Sequence, residues 1–110
     1  MKILCIGQSS YDITLPVDAF PKENMKQVSS GRYLNSGGSA SNAAKLLAKW
    51  GLDTYFAGSI GNDYFGQRII EEYNSLGLKT DYLEVKKQDT TLSVILTNNE
   101  KTVIKSRKYL

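Results

Sequence analysis

The chain has no histidine, one cysteine and two prolines in 110 residues. Without histidine there is no imidazole base for a Ser or Cys nucleophile and no imidazole ligand for a metal. The single cysteine, Cys5, cannot form a disulfide within the chain. It lies in the apolar run Ile3-Leu4-Cys5-Ile6 and reads as a small buried strand residue, not an activated nucleophile. No apolar run approaches the ~18 residues that cross a bilayer. The apolar stretch after Lys2 stops at Gly7, too short for a secretory signal. The expectation is a cytoplasmic protein without a membrane partner. An excess of one charge is also missing, with 14 Lys and Arg against 11 Asp and Glu, net +3. Basic residues gather only at Lys101, Lys105, Arg107 and Lys108, short of the dense stripe of a nucleic-acid binder. There is no repeat, low-complexity segment or linker, so the length implies one domain or part of one.

What is present alternates between strand and helix signals. Lys2 to Ile6 is β-branched and apolar, which predicts a buried strand at the centre of a sheet. Tyr11 to Leu15 predicts a strand stopped by Pro16, and Met25 to Leu34 a strand exposed on one face. A helix is expected from Ser39 to Trp50, with Ala40, Ala43, Ala44, Leu47 and Trp50 on its inner face and Gly51 ending it. Thr54 to Ala57 predicts a short strand ending at Gly58. Asn62 or Asp63 can cap a second helix, with Phe65, Ile69, Ile70, Tyr73 and Leu76 facing inward and Gly77 closing it. Thr80 to Val85 predicts a further strand. Thr91 to Leu96 and Thr102 to Ser106 predict a hairpin turning at Asn98-Asn99-Glu100. Strand–helix–strand–helix–strand implies an α/β fold with parallel pairing. The two antiparallel segments, 11–34 and 91–108, would form one small extra sheet.

The most informative stretch is Asn35 to Trp50, NSGGSASNAAKLLAKW. Gly37 and Gly38 allow close approach to the backbone, and the helix that follows opens with unpaired amides and a positive dipole end. Ser39, Ser41 and Asn42 add donors and acceptors at the same place. This surface suits a polyhydroxylated or anionic small molecule.

Three segments carry a resemblance: GQSSYDIT near the start, NSGGSASNAAKLLAKWG, and GSIGNDYFGQRIIEEYNSLGL. With that spacing the chain resembles the N-terminal part of the ribokinase-like, or PfkB, carbohydrate kinases over essentially its whole length. The resemblance implies an α/β core with a parallel sheet and a small β-sheet lid, the lid supplied by about 11–34 and 91–108. It implies ATP-dependent phosphorylation of a sugar or sugar-like hydroxyl, nucleosides included, with ATP and Mg2+ serving the complete protein. Asp12 would accept hydrogen bonds from sugar hydroxyls, with Gly37 and Gly38 against the sugar and Asn42 on another hydroxyl. Ser39 stands where some members carry a phosphate-facing lysine, which leans toward an unphosphorylated sugar. Arg107 lies near a basic substrate contact of the lid. The family's catalytic aspartate, in Gly-Ala-Gly-Asp, and its nucleotide and metal-linked motifs do not occur in residues 1–110. This chain would therefore hold the acceptor and, alone, bind no cofactor or metal and transfer no phosphoryl group. A second reading is a non-catalytic sugar-binding or dimerisation module, pairing with another copy through the edges of the two lid segments.

Plain structural roles stand beside these. Asp12 can be a turn residue, Gly37-Gly38 a tight turn into a helix, Asn42 a solvated first-turn residue and Arg107 a solvated strand charge. Asp63 reads as a helix cap rather than a catalytic acid. Gly58, Gly61 and Gly66 have the wrong spacing for a dinucleotide fingerprint, and Gly58 and Gly61 read as strand-end and turn residues. Trp50 and Tyr73 read as packing residues.

Overall fold

The computed structural model describes residues 1–98 in full and the backbone of strand residues 102–107. The chain order is β1 (Lys2–Ile6), β2 (Ser10–Pro16), β3 (Tyr33–Gly37), α1 (Ser39–Lys49), β4 (Asp53–Gly61), α2 (Tyr64–Ser75), β5 (Leu83–Lys86), β6 (Leu92–Thr97) and β7 (Thr102–Arg107). Strands β1, β4 and β5 form a parallel sheet in the order β1-β4-β5. The other four form a second sheet in the order β3-β2-β6-β7. In it β2 runs parallel to β6, and β3 and β7 pair antiparallel at the two sides. The segments separated in sequence thus meet through the β2–β6 ladder.

Both helices contribute to one core. Ala44 and Ala48 of α1 and Ile69 and Tyr73 of α2 pack with Phe56 and Ile60 of β4, Leu78 and Tyr11 of β2. Phe56 and Ile60 share a strand face because side chains alternate with period two. The Tyr11 ring meets Phe65 at 5.3 Å between centroids, which carries the core from the parallel sheet onto the mixed one.

Several expectations need correction. Among the described residues β1 is an edge strand, not a central one, and β4 takes the middle. Ile3 and Cys5 are half-buried toward the helices, while Leu4 and Ile6 are 50% and 73% exposed. An apolar run reports that a strand tolerates burial on both faces; here both helices lie on one face. The face of α1 is rotated from the expected one. Ser41, Ala44 and Ala48 are buried, Ala43 is exposed, and Trp50 is 67% exposed at the helix end. Small residues let α1 lie close against the sheet, and the indole is too large for that seam. Residues 25–32 form no strand; Asn24 takes a positive φ and Met25 N–H donates to Lys22 O, so the chain turns there. Gly58 does not end β4, which runs on to Gly61. Of the expected β6–β7 turn, Asn99 and Glu100 lie outside the described residues, as do Lys101 and Lys108. Among the described residues no helix is long and apolar enough to cross a membrane.

Candidate functional site

Asp12 sits within β2, level with Asn35 on β3 and Ser93 on β6. Its Oδ1 accepts a hydrogen bond from Ser10 Oγ at 2.8 Å. The carboxylate lies directly over the Cα of Gly37: a Cβ at position 37 would collide with both of its oxygens. Glycine at 37 is therefore a matter of space. Glycine at 38 is a matter of conformation as well. Gly38 has φ 102° and ψ 143°, and a Cβ there would strike the carbonyl oxygen of Gln8.

Gly38 is also the N-cap of α1 and offers no capping side chain. The first intrahelical bond is Asn42 N–H to Gly38 O at 2.8 Å. The amides of Ser39, Ala40 and Ser41 precede it, so no helix carbonyl accepts from them. No acidic residue occupies the first turn. The positive end of α1 thus opens next to the Asp12–Gly37 contact, with exposed Ser39 and Asn42 on the first turn. Five of the six candidate residues, Asp12, Gly37, Gly38, Ser39 and Asn42, come together on β2, β3 and the start of α1. The sixth, Arg107, has its backbone at the level of Leu92 and, beyond it, Tyr11, adjacent to the level of Asp12. Its side chain lies outside the described residues.

The structure adds a supporting layer. Tyr73 of α2 has no exposed surface, and its ring meets Phe56 edge-on at 5.5 Å. Its packing role is real, but its hydroxyl is also bonded to Ser9 Oγ at 2.6 Å and to Ser41 Oγ at 2.5 Å. Burial pushes the Tyr73 phenol up, with the Ser41 and Ser9 bonds opposing it in part. It stays a neutral donor and acceptor. Next to it, Glu72 Oε2 accepts from Ser36 N–H at 2.9 Å, and Lys45 Nζ donates to Ser36 O at 2.7 Å. Lys45 and Glu72 are themselves 3.6 Å apart. The peptide before Gly37 is thereby gripped from both sides.

Asp63 behaves as a cap. It precedes α2 and accepts from Gly66 N–H at 2.8 Å. Thr90, just ahead of β6, also donates to it, from the hydroxyl at 2.5 Å and from the amide at 2.8 Å. Gly61 N–H in turn donates to the Thr90 hydroxyl at 3.0 Å. Burial alone would raise the Asp63 pKa. The Thr90 and Gly66 bonds outweigh it and hold the carboxyl below its ordinary value.

Sequence reasoning missed Tyr73 as a polar centre, and it missed Glu72, Lys45 and Thr90. A buried tyrosine flanked by serines far away in sequence has no local signature. A hollow of about 630 Å3 lies at the other end of β2, between Pro16–Phe20, Ser30 and Thr97–Asn98, and holds none of the candidates. Among the described residues no cluster of three or more Asp, Glu, Cys or His forms that could hold a metal ion.

The ribokinase of Bacillus subtilis is 25% identical over 107 residues, covering 94% of this chain and 36% of that protein. The structure of Thermotoga maritima ribokinase superposes with a TM-score of 0.82 at 29% identity, over 96% of this chain and 35% of that one. Arabidopsis thaliana ribokinase, solved with ribose and ATP, gives a TM-score of 0.82 at 25% identity, over 96% and 35%. The chain spans about a third of the length of the relatives it matches. The family model of the pfkB carbohydrate kinases matches residues 1–109, and the chain belongs to that family.

Proposed function

We propose that the complete protein transfers the γ-phosphoryl group of ATP to a hydroxyl of a sugar or sugar-like molecule, and that this chain supplies the acceptor-binding half. The observation that carries the reading is the placement of the Asp12 carboxylate over Gly37, beside the uncapped start of α1 and Asn42. A carboxylate accepts only, so it suits a ligand rich in hydroxyl donors. Asn42 offers a donor and an acceptor to a second hydroxyl. The Gly37–Gly38 backbone allows a sugar ring to lie close. Such contacts orient the acceptor oxygen, and phosphoryl transfer depends mainly on orientation and charge stabilisation. The four-stranded sheet would act as a lid that keeps water from competing for ATP.

The ribose complex of the Arabidopsis relative supports an unphosphorylated pentose as the first acceptor to try. Nucleosides are the next class, because ring hydroxyls would meet Asp12 and Asn42 in the same way. In this reading the chain by itself has no transferase activity, since the groups that act on the acceptor proton and on ATP belong to other parts of the protein. The same reading sets the protein in the cytoplasm, where ATP is available. Among the described residues β3 is an edge strand carrying exposed Tyr33 and Leu34, which favours a second copy pairing along the lid.

The test is calorimetric titration of ribose into the full-length protein, wild type and Asp12→Ala. Loss of hydrogen bonds to a charged acceptor should weaken binding roughly 10- to 100-fold. Equal affinity in the two proteins would show that Asp12 does not hold the sugar.

A further inference from the structure

We infer that Tyr73 is a positioning residue for the acceptor site, its hydroxyl tying together the separate segments that carry the candidate sugar contacts. The inference rests on the proposed function for its consequence, but its geometry stands independently. Ser9 lies just ahead of β2, which carries Asp12. Ser41 immediately precedes Asn42 in α1. Both serine hydroxyls bond the one phenol oxygen, at 2.6 and 2.5 Å, and both serines are buried. Ser36, immediately before Gly37 and Gly38, completes the group. Its hydroxyl is the one buried side-chain polar atom without a hydrogen-bond partner among the described residues.

The donor and acceptor capacities fit this arrangement. A phenol has one proton to give and two lone pairs to accept with. Bonds to Ser9 and Ser41 leave the phenol oxygen capacity for one further hydroxyl. Meanwhile Glu72, the preceding residue on α2, holds the Ser36 amide, and Lys45 holds its carbonyl. Two adjacent residues of one helix therefore fix the approach to β2, the end of β3 and the start of α1 relative to one another.

This differs from ordinary core packing. The Tyr73 ring fills space against Phe56 and would do so as phenylalanine. Only the hydroxyl bonds Ser9 and Ser41. If the hydroxyl merely satisfied itself, one bond would do. Two short bonds to segments 32 and 64 residues away in sequence instead set the distance between them. Asp12 and Asn42 must face one ligand together, and a loosening of about an ångström between them would cost one set of contacts.

The experiment is Tyr73→Phe in the full-length protein, read in two ways. Amide hydrogen exchange should accelerate at least tenfold in residues 9–12 and 36–42 while β6 and the first turns of α2 keep wild-type rates. Uniform acceleration, or none, would overturn the proposal, and this arm needs no ligand. In the kinetic arm, KM for the sugar should rise roughly tenfold with kcat and KM for ATP within twofold of wild type. A purely structural role would lower the amount of active protein without splitting these constants. If wild type neither binds nor phosphorylates a sugar, the proposed function fails, while the exchange arm still decides the role of Tyr73. Should Tyr73→Phe not fold, Ser9→Ala, which removes a single arm of the cluster, should accelerate exchange at residues 9–12 more than at 36–42. Equal acceleration in the two segments would overturn the clamp.

Discussion

Helices α1 and α2 pack on the same face of one sheet, and their first turns are built in opposite ways. α2 begins with Asp63, whose two oxygens accept from the Gly66 amide, the Thr90 amide and the Thr90 hydroxyl. The positive end of that helix is neutralised by the chain itself. α1 begins with Gly38, which has no side chain to offer, and its first turn has no acid. Its amides and dipole remain for something from outside. Helix starts alone do not make sites; what distinguishes α1 is the Asp12 carboxylate across Gly37 and the Tyr73 cluster beneath. A capped start serves stability; in the proposed function, the uncapped one beside fixed polar groups serves recognition.

The comparison breaks most visibly if α1 can be capped as α2 is. By helix propensity alone, Gly38→Ser would be an improvement, since serine is a favoured N-cap. Here it should be the most damaging change, costing about 3 kcal/mol of stability or more. The φ of 102° strains any side chain, and a Cβ would strike the Gln8 carbonyl, which belongs to the backbone and has little freedom to yield. Gly77→Ala is the control. Its φ is also positive, at 76°, but nothing stands within 4 Å of the added carbon. That variant should lose only about 1 kcal/mol. Urea unfolding midpoints decide between them; equal losses would mean that α1 has no special constraint at its start.

The converse change removes the cap of α2. Asp63→Ala leaves the Gly66 and Thr90 amides without an acceptor and should cost about 2 kcal/mol. Because Thr90 leads into β6, the loss should also loosen the mixed sheet against the parallel one. Amide exchange at Thr90 and Thr91 should rise more than at Ser39 and Ala40. The reverse order would mean that Asp63 supports α1 and not the junction before β6.

These two starts also mark how far the sequence could be read. The glycine pair was legible because positive φ and close approach leave few alternatives to glycine. Asp63 was legible as a cap because capping is local. Its other partner, Thr90, is 27 residues away, and no periodicity points to it. The same limit explains Tyr73: apolar spacing put the ring in the core and was silent about the hydroxyl. Burial was read least well. Trp50 and β1 have apolar local patterns, yet which layers cover them is decided by the placement of α1 and α2 together. The candidate residues Asp12, Gly37, Gly38, Ser39 and Asn42 were brought together because each sits in or beside a strong local signal. Glu72 and Lys45, which grip Ser36, sit in ordinary helical positions.

The smallest effect, and the sharpest test of the comparison, is acid sensitivity. Asp63 has a folded-state pKa below its unfolded value, held there by the Thr90 and Gly66 bonds against the opposing effect of burial. A depressed carboxylate contributes stability that is fully present above its unfolded pKa, ~3.9 for an aspartate, and lost as pH falls through the folded value. The loss should be no more than about 1 kcal/mol, because the group is partly solvated. Asp53 is depressed too, chiefly by its bond from Lys79, but that pair is exposed and salt should screen it. Unfolding at high salt therefore isolates Asp63. The stability difference between wild type and Asp63→Asn should be constant from pH 7 to pH 5 and should shrink below pH ~4. α1 carries no acid at its start, so acid should lower exchange protection, measured against the intrinsic rate at each pH, first at Gly66 and Thr90, with Ser39 and Ala40 following only at global unfolding. A difference that stays constant down to pH ~3 would mean that the carboxylate charge is not what seals α2, and the contrast between the two helix starts would reduce to geometry alone.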